Sequence, residues 1–213
     1  LGDKYNHVIY RSANNHLNEL YWTGTGSVGH GDLTVLASAP NALGDPSPYV
    51  DTARGANNVT YRGSDGHIHS LYWNTGAVRH DNLTSAAGSP LAAGDPFGYY
   101  TAHNDSHQIV YRAADGHLYE LWFVGTNAVT FWDLSAGSGA PPAASDAVGY
   151  YSAPTNTKHI FYRSLDGYLN EISWTPSGGH PVHRNLTLLA QAPLAVGKPT
   201  AYFLAVDGSH HVV

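Results

Sequence analysis

Residues 108–122 read QIVYRAADGHLYELW, and variants of this stretch occur three more times along the chain. The other copies are HVIYRSANNHLNELY at 7–21, NVTYRGSDGHIHSLY at 58–72 and HIFYRSLDGYLNEIS at 159–173, so the steps between copies are 51, 50 and 51 residues. Within each copy, two apolar runs flank a short turn at 14–15, 65–66, 115–116 or 166–167. Asp-Gly between two such runs is a strong signal for a β-hairpin. Repetition of one hairpin at a fixed period therefore sets the fold class.

Each unit contains two further strand-like segments after the hairpin. A Leu-Thr or Leu-Ser element is followed by a Pro-rich loop and then by an aromatic segment, at Tyr49, Tyr99, Tyr150 and Tyr202. Four short strands per unit, with a period near fifty, predict an all-β β-propeller of four tandem four-stranded blades. We expect one domain, 1–213, with repeats at about 7–57, 58–107, 108–158 and 159–209.

The ends of the array allow two arrangements. The first blade lacks a leading strand, and a C-terminal strand can supply it, so that the N- and C-terminal strands close the ring. Residues 210–213, however, read HHVV and resemble the start of a further repeat strand. The alternative is therefore that the chain is a fragment of a larger propeller, since propellers have four to eight blades.

Composition argues against several classes of partner. The net charge is −6, and four of the ten Lys and Arg residues are fixed by the repeat at Arg11, Arg62, Arg112 and Arg163, so no basic patch for nucleic acid is expected. No apolar run is long enough for a membrane span. Cysteine is absent, which excludes a disulfide framework.

The three glutamates of the chain all occupy one repeat position, Glu19, Glu120 and Glu171, which Ser70 holds in the second unit. If the hairpin turn has two residues, this position faces Tyr10, Tyr61, Tyr111 and Tyr162. The same register places His7, Asn58, Gln108 and His159 opposite Trp22, Trp73, Phe123 and Trp174. Carboxylate and amide groups beside flat aromatic rings suit sugars, which need both polar partners and stacking surfaces. The candidate sugar-binding residues are Glu19, Glu120, Glu171, Trp22, Trp73, Trp174, His7, Gln108 and His159. The pocket at Ser70 is expected to bind weakly or not at all.

The same residues also have a purely structural interpretation. Buried glutamates can accept hydrogen bonds that fix the packing of blades. The repeated arginines are expected to lie on the face opposite the Tyr-Glu pairs and to bind Asp in a neighbouring turn. The histidines after the turns alternate with aromatic residues and are spaced by whole blades, so no metal or cofactor site is expected.

The hairpin of Tyr-Arg, a short turn and Gly-His-Leu-Tyr-Glu-Leu-Trp, followed by a Gly-Asp-Pro loop, resembles the blades of bacterial and fungal β-propeller lectins, especially the fucose-binding group. The resemblance implies a pocket between adjacent blades that uses Glu, an Arg twelve residues earlier and an aromatic ring. Glu19, Glu120 and Glu171 match the acidic position, but His7, Gln108 and His159 stand at the Arg position. The resemblance therefore implies glycan binding, while the departure at the Arg position leaves the identity of the sugar open.

The leading hypothesis is a multivalent, non-catalytic carbohydrate-binding protein with several weak sites, one per blade or blade interface. Its partners would be glycans or glycoconjugates, and self-association into a homo-oligomer is left open. The alternatives are a scaffold or protein-interaction propeller and, less favoured, a glycoside hydrolase, for which two carboxylates in one pocket are needed. Sequons at Asn58, Asn82, Asn104 and Asn185 favour a secreted protein.

Overall fold

The protein is described here by a computed structural model, which covers residues 4–176, 178–204 and 206–213. Antiparallel sheets follow one another along the chain, and the only helices in this part of the chain are single turns. Three sheets have four strands each, as propeller blades do. The all-β propeller architecture predicted from the repeats is confirmed.

The elements recur in the same order in each sheet. Sheet 1 contains β1 (Asn6–Arg11), β2 (Leu17–Trp22) and β3 (Gly29–Asp32). Sheet 2 contains β4 (Ser47–Asp51), β5 (Ala56–Arg62), β6 (Ile68–Trp73) and β7 (Arg79–Asn82). Sheet 3 contains β8 (Phe97–Thr101), β9 (Ser106–Arg112), β10 (Leu118–Val124) and β11 (Thr130–Asp133). Sheet 4 contains β12 (Val148–Ser152), β13 (Thr157–Arg163), β14 (Leu169–Trp174) and β15 (Val182–Asn185), and sheet 5 contains β16 (Ala201–Leu204) and β17 (Ser209–Val212).

The leading strands β4, β8, β12 and β16 pack side by side in that order. Sheet 1 has no leading strand among the described residues, as the sequence predicted. The expected closure, in which a C-terminal strand completes sheet 1, is not formed in the described part of the chain. The reason is that β17 folds back onto β16 and occupies the edge that β1 would need.

Short helices follow the last strand of sheets 1 to 4. They are α1 (Leu33–Leu36), α2 (Leu83–Ala87), α3 (Leu134–Ser138) and α4 (Leu186–Ala190). Each begins after an Asp or Asn whose side chain accepts the backbone N–H three residues later, at Asp32, Asn82, Asp133 and Asn185. Two of the four sequon asparagines, Asn82 and Asn185, thus serve as helix caps.

The hairpin turns lie where the sequence placed them, but they are longer than predicted. In the first hairpin, the N–H of Ser12 donates to the carbonyl of His16 at 2.9 Å, and the N–H of Asn15 donates to the carbonyl of Ser12 at 2.9 Å. Three residues therefore form the loop. Its last residue has a positive φ, 64° at Asn15 and 81° at Gly116. This is the type I turn with a G1 bulge, not the two-residue type I′ turn.

The longer loop shifts the register by one residue. Glu19 lies opposite Ile9 instead of Tyr10, and the corresponding pairs are Ser70 with Thr60, Glu120 with Val110 and Glu171 with Phe161. The predicted pairs of Tyr10, Tyr61, Tyr111 and Tyr162 with the Glu position are therefore wrong. Because faces alternate along a strand, each tyrosine lies on the face opposite the Glu position. Each repeated Arg directly follows its tyrosine, so the Arg residues lie on the same face as the Glu position and not on the opposite face as predicted.

Hydrophobic cores form between neighbouring sheets. Leu17 and Leu33 of the first unit pack with Val59, Tyr61 and Leu71 of sheet 2, and equivalent clusters join sheets 2 and 3 and sheets 3 and 4. The hydroxyls of Tyr61, Tyr111 and Tyr162 donate to the carbonyls of Pro40, Pro90 and Pro141 in the preceding loop, at 3.0, 2.8 and 2.9 Å. These three tyrosines thus bind sheets 2, 3 and 4 to the loop before each of them.

The repeated arginines have varied partners. Arg62 binds Asp95 in the next Gly-Asp-Pro loop, with Nη2 at 3.2 Å from Oδ1, as the sequence predicted. Arg11 instead donates to Asn15 Oδ1, Arg112 to the carbonyl of Ala93 and Arg163 to the carbonyl of Ser164. These contacts support the structural interpretation of the arginines.

Candidate functional site

The three glutamates lie on the second strand of their hairpins and are buried. Glu19 is in β2, Glu120 in β10 and Glu171 in β14. A buried carboxylate needs hydrogen-bond or charge partners to offset its lost hydration. Each of the three has such partners, and they come from the same sheet or from the next one.

Two of the glutamates contact the histidine twelve residues earlier. His7 Nδ1 lies 2.6 Å from Glu19 Oε1, and His159 Nδ1 lies 2.7 Å from Glu171 Oε1. The observed register explains this spacing: Glu19 is opposite Ile9, so His7 is its diagonal neighbour on the same face. Glu171 has a second partner, since Arg184 Nη1 lies 3.3 Å from its Oε2.

Glu120 is paired differently. Gln108 stands twelve residues earlier, and the cation comes from the next sheet, where Lys158 lies in β13. Lys158 Nζ is 2.8 Å from Gln108 Oε1 and 3.2 Å from Glu120 Oε1. Burial raises the pKa of Glu120, while the charge and hydrogen bond of Lys158 act to lower it. Lys158 thus supplies, across the interface, a positive charge that residue 108 lacks.

Lys158 was missed by the sequence analysis. It precedes the candidate residue His159 and falls where the other units have Asn6, Asn57 and His107. One signal was available: of the three lysines, only Lys158 lies in a repeat strand. Its partner could not be read from the repeat, because the contact crosses from one unit to the next.

At two of these sites an aromatic ring comes from the following sheet. The ring centroids of His7 and Trp73 are 6.4 Å apart, and Lys158 Nζ lies 5.2 Å from the centroid of Trp174.

The predicted pairs of His7, Asn58, Gln108 and His159 with Trp22, Trp73, Phe123 and Trp174 are wrong, because the register is shifted by one residue. The residues that lie opposite them are Tyr21, Tyr72, Trp122 and Ser173. Trp22 lies opposite Asn6.

Three cavities lie between neighbouring sheets, and we name each by the sheets that form it. Cavity 1/2, of about 280 Å³, is lined by His7 and Trp73. Cavity 3/4, of about 260 Å³, is lined by Gln108, Glu120, Lys158 and Trp174. Cavity 2/3, of about 700 Å³, contains Asn58, Ser70 and Phe123. Trp22 lines none of these three cavities.

Cavity 3/4 brings together the most complete set of candidate groups. Its carboxylate–ammonium pair lies among three indoles, since Trp122 and Trp132 join Trp174 in the lining. Nearby, the hydroxyl of Tyr99 is buried without a hydrogen-bond partner among the described residues. In the neighbouring units the equivalent hydroxyls of Tyr49 and Tyr150 are bound to His107 and His210, at 3.1 and 2.7 Å.

At the Glu171 position, sheet 5 contributes an imidazole. The ring centroids of His159 and His210 are 4.7 Å apart, and burial lowers the pKa of His210. The structure therefore brings a carboxylate and a residue of the next sheet together at three interfaces, with an imidazole beside the carboxylate at two of them. At the fourth interface, between sheets 2 and 3, Ser70 replaces the glutamate, so this position carries no charge.

No group of three or more His, Cys, Asp or Glu side chains is arranged to hold a metal ion in the described part of the chain. Among the helices of residues 4–176, 178–204 and 206–213, none has the length and apolar character needed to cross a membrane.

Comparison with known proteins gives structural likeness but no sequence match. No protein-family model and no curated protein matches the chain. The fold resembles the BP39L lectin from Burkholderia pseudomallei, with a TM-score of 0.66 and 16% identity over 98% of this chain and 62% of that one. It also resembles the lectin of Aleuria aurantia, in a variant solved with α-methyl-L-fucoside, with a TM-score of 0.61 and 14% identity over 97% and 68% of the two chains.

A third structure, AofleA from Arthrobotrys oligospora, has a TM-score of 0.59 and 14% identity over 84% of this chain and 52% of that one. The chain thus spans between about half and two thirds of the length of the structures it resembles. At these identities the likeness establishes the fold. The resemblance to bacterial and fungal β-propeller lectins, first indicated by the hairpin motif, is confirmed at that level.

Proposed function

We propose that the protein is a carbohydrate-binding lectin with sites between neighbouring sheets. The observation that supports this most directly is cavity 3/4, where Glu120, Gln108 and Lys158 lie beside the Trp174 ring. A carboxylate and an ammonium group bind sugar hydroxyls through charge-assisted hydrogen bonds. An indole face packs against the apolar C–H face of a pyranose, and small-ligand sites combine these two kinds of group.

Binding without catalysis fits the distribution of acids. Glycoside hydrolysis uses two carboxyl groups that flank one scissile bond, at about 5 to 10 Å from each other. Among the described residues that line cavity 3/4, Glu120 is the only carboxylate, and the described lining of cavity 1/2 contains none. Neither of these two cavities offers the pair of acids that a hydrolase needs. Cavity 2/3 contains Asp51 and Asp81 in its lining, and Asp51 is bound to Arg54.

The repeated geometry supports several sites per chain. The Glu19–His7 and Glu171–His159 pairs repeat the arrangement at two further interfaces. Weak sites on one rigid body gain affinity for a multivalent surface through effective concentration. We include multivalency and action outside the cell in the proposal. Fucosides belong in the first ligand panel, because the Aleuria aurantia lectin was solved with α-methyl-L-fucoside.

A glycan-array screen, followed by titration calorimetry, tests the proposal. The informative variant is the double substitution Glu120→Gln/Lys158→Met, which removes both charges of cavity 3/4 and leaves neither one unpaired. Loss of charge-assisted hydrogen bonds, each about 1.5 to 3 kcal/mol, should weaken binding at that site by about tenfold or more. The matched control is Arg62→Met/Asp95→Asn, which removes an ion pair that lines none of the three cavities.

The outcomes separate a lectin from a scaffold. A lectin binds at least one glycan, loses a site in the Glu120/Lys158 variant and keeps it in the Arg62/Asp95 variant. A folded wild-type protein that binds no glycan on the array, or a Glu120/Lys158 variant that binds as well as the wild type, would show that the paired charges serve the fold alone.

A further inference from the structure

Unit 4, residues 159–209, carries exposed leucines at positions where the other units have smaller or more polar side chains. Four positions are exposed in every unit: one in the hairpin turn, two in the short helix and one in the loop after it. Unit 4 has leucine at all four, and we call these side chains the leucine surface: Leu165, Leu188, Leu189 and Leu194. Unit 1 has Val or Leu at two of the positions, unit 2 at one and unit 3 at none.

The exposure of these leucines belongs to the positions and not to the end of the array. The four side chains are between 58 and 76% exposed. Their counterparts Val35 and Leu36 are each 61% exposed and Leu91 is 51% exposed, although a further sheet follows units 1 and 2. Single apolar side chains on a surface are ordinary, whereas a group of them on one face marks an interaction surface.

The three segments that carry the leucine surface are held against one another. The N–H of Ala195 donates to the carbonyl of Gly167 at 2.9 Å, which joins the loop after α4 to the hairpin turn. Leu194 packs on this turn, since a Cβ atom at Gly167 would lie 3.3 Å from Leu194 Cβ. The N–H of Leu169 donates to Thr187 Oγ1 at 2.8 Å, which joins α4 to the start of β14. The leucines therefore lie together at the turn end of sheet 4.

The charge at this end of unit 4 differs from that of units 2 and 3. Three repeat positions carry it: the arginine before the turn, the acid in the turn and the acid in the loop that leads to the next sheet. Units 2 and 3 have one cation and two acids at these positions, and Arg62 binds Asp95 at 3.2 Å. Unit 4 has two cations, Arg163 and Lys198, and one acid, Asp166. These positions are therefore positive in unit 4, in a chain whose net charge is −6.

Lys198 is exposed and is the cation that can reach a partner beside the leucine surface. Asp146 of the preceding unit acts on it electrostatically. The carboxylate of Asp146 accepts the N–H of Asp95 at 3.1 Å, and burial and then the charge of Asp95 raise the pKa of Asp146. Asp146 is thus bound on its inner side, while the ammonium group of Lys198 faces solvent.

The chemistry of the leucine surface fits a lipid bilayer better than a protein. Residues that dominate protein–protein binding are enriched in Trp, Tyr and Arg, and leucine is under-represented among them. Leucine is, in contrast, among the side chains that enter hydrocarbon most favourably. None of the four leucines lines cavity 1/2, 2/3 or 3/4, so the surface offers no pocket to a partner's side chain. Apolar side chains beside a cation are what anionic bilayers bind at their surface.

From these observations we infer that the leucine surface binds the surface of an anionic lipid bilayer. The leucines enter the boundary between headgroups and acyl chains, and Lys198 lies beside the anionic headgroups. Lys158 and Trp174 of cavity 3/4 pair with each other at the end of the β13–β14 hairpin opposite the turn, so a bilayer at the turn end leaves that cavity accessible. The inference is independent of the proposed lectin function, because no sugar takes part in it.

Vesicle co-sedimentation tests the inference with two compositions that contain no glycan: phosphatidylcholine alone, and an equimolar mixture of phosphatidylcholine and phosphatidylserine. The wild type should bind the mixed vesicles several times more tightly than the neutral ones, and added salt should reduce this preference. Leu188→Ser/Leu189→Ala gives α4 the residues that unit 2 has at the same positions. This helix variant should bind about tenfold or more weakly than the wild type, because two leucines no longer enter the bilayer.

Val35→Ser/Leu36→Ala is the matched control, since it makes an equivalent change at equally exposed positions of unit 1, and it should bind as the wild type does. Lys198→Asp restores the acid of the other units and should remove the preference for mixed vesicles. If the helix variant does not fold, Leu165→Ser makes the corresponding change in the turn and should weaken binding in its place.

Three results would overturn the inference. The first is a folded wild type that binds neither kind of vesicle. The second is equal vesicle binding by the helix variant and the unit 1 control. The third is sedimentation velocity that shows dimers of the wild type which the helix variant does not form, because the leucines would then lie between two copies of the chain.

Discussion

At the scale of single residues, the three glutamates share a repeat position but not a partner. Glu19 and Glu171 each contact an imidazole, which carries charge only when protonated. Glu120 contacts the ammonium group of Lys158, which lies in the next sheet and is 5% exposed. Removal of one member of a buried ion pair leaves the other as an uncompensated buried charge. The three sites should therefore differ in how they tolerate loss of the carboxylate.

We expect Glu120→Gln to lower the free energy of unfolding by about 3 kcal/mol or more, because Lys158 is then buried without a counter-charge. Glu19→Gln should cost less, because His7 can remain neutral beside an amide. Chemical denaturation of the variants measures both values. The double variant Glu120→Gln/Lys158→Met should recover much of the loss. Equal costs for Glu19→Gln and Glu120→Gln would contradict the distinction between the two pairs.

Part of the candidate site could be predicted from the sequence. The resemblance placed Glu19 and Glu171 in one pocket with the residue twelve positions earlier, and the two members of each pair are in contact. The contact lies within one hairpin, but the register predicted from a two-residue turn placed Glu19 opposite Tyr10 and did not show it. The contact of Lys158 with Glu120, and the approach of Trp73 to His7, depend on packing between sheets. A repeat pattern contains no information on which residues of the next sheet lie across the interface.

At the scale of elements, the hairpin register was the main error, and a single loop residue caused it. A two-residue type I′ turn and a three-residue loop with a G1 bulge can both carry Asp-Gly. Asn15, Gly66, Gly116 and Gly167 have φ values of 64°, 80°, 81° and 86°, but only one residue per loop has a positive φ. A type I′ turn requires two. A shift of one residue changes which residues of the two strands lie opposite each other, so the predicted Tyr-Glu pairs do not form.

The helix caps give a prediction at the same scale. Asn185 Oδ1 accepts the N–H of Leu188 at 2.9 Å at the start of α4. Asn185→Ala removes this acceptor and should lower the free energy of unfolding by about 1 kcal/mol. Asn185→Asp keeps an acceptor at the same place and also removes the sequon, so it should stay close to the wild type. Denaturation midpoints decide between these, and equal losses in both variants would mean that the cap bond does not stabilise α4.

Arg54 connects the loop after β4 to the loop after β8, and its effect should appear in the titration of Asp105. Hydrogen bonds from Arg54 and then Tyr100 lower the pKa of Asp105 to about 2. The folded-state pKa is below the unfolded value, so any stabilisation is present above about pH 4 and is lost as the pH falls toward 2. Carboxyl ¹³C NMR should show this low pKa in the wild type and a pKa raised toward 3.8 in Arg54→Ala, where the hydrogen bond of Tyr100 remains. An unchanged pKa in the variant would mean that Arg54 is not the cause.

At the scale of the whole molecule, the sheets are equivalent in sequence but not in environment. Val8 is 45% exposed and Tyr10 is 38% exposed, whereas their counterparts Val59 and Tyr61 in sheet 2 are 1% and 0% exposed. The cause is positional: sheet 2 is covered by the loop of the preceding unit and by β4, and sheet 1 has neither among the described residues. The repeats therefore predicted the strands of each blade. Whether the first sheet gains a fourth strand depended on the pairing of β16 with β17, which the repeats did not predict.

This difference should be measurable as a gradient of stability along the 213-residue chain. Backbone amides in covered, four-stranded sheets open only with large-scale unfolding, whereas those in exposed, incomplete sheets open locally. Hydrogen exchange followed by NMR should therefore be about tenfold or more faster for Val8 and Tyr10 than for their counterparts in sheet 3, Ile109 and Tyr111. Both members of each comparison share strand position; Tyr10 and Tyr111 are the same residue and Val8 and Ile109 are both β-branched, so intrinsic exchange rates nearly cancel. Equal protection in sheets 1 and 3 would mean that sheet 1 is covered in solution, and dilution would then show whether a second copy of the chain covers it, because protection by association falls with concentration.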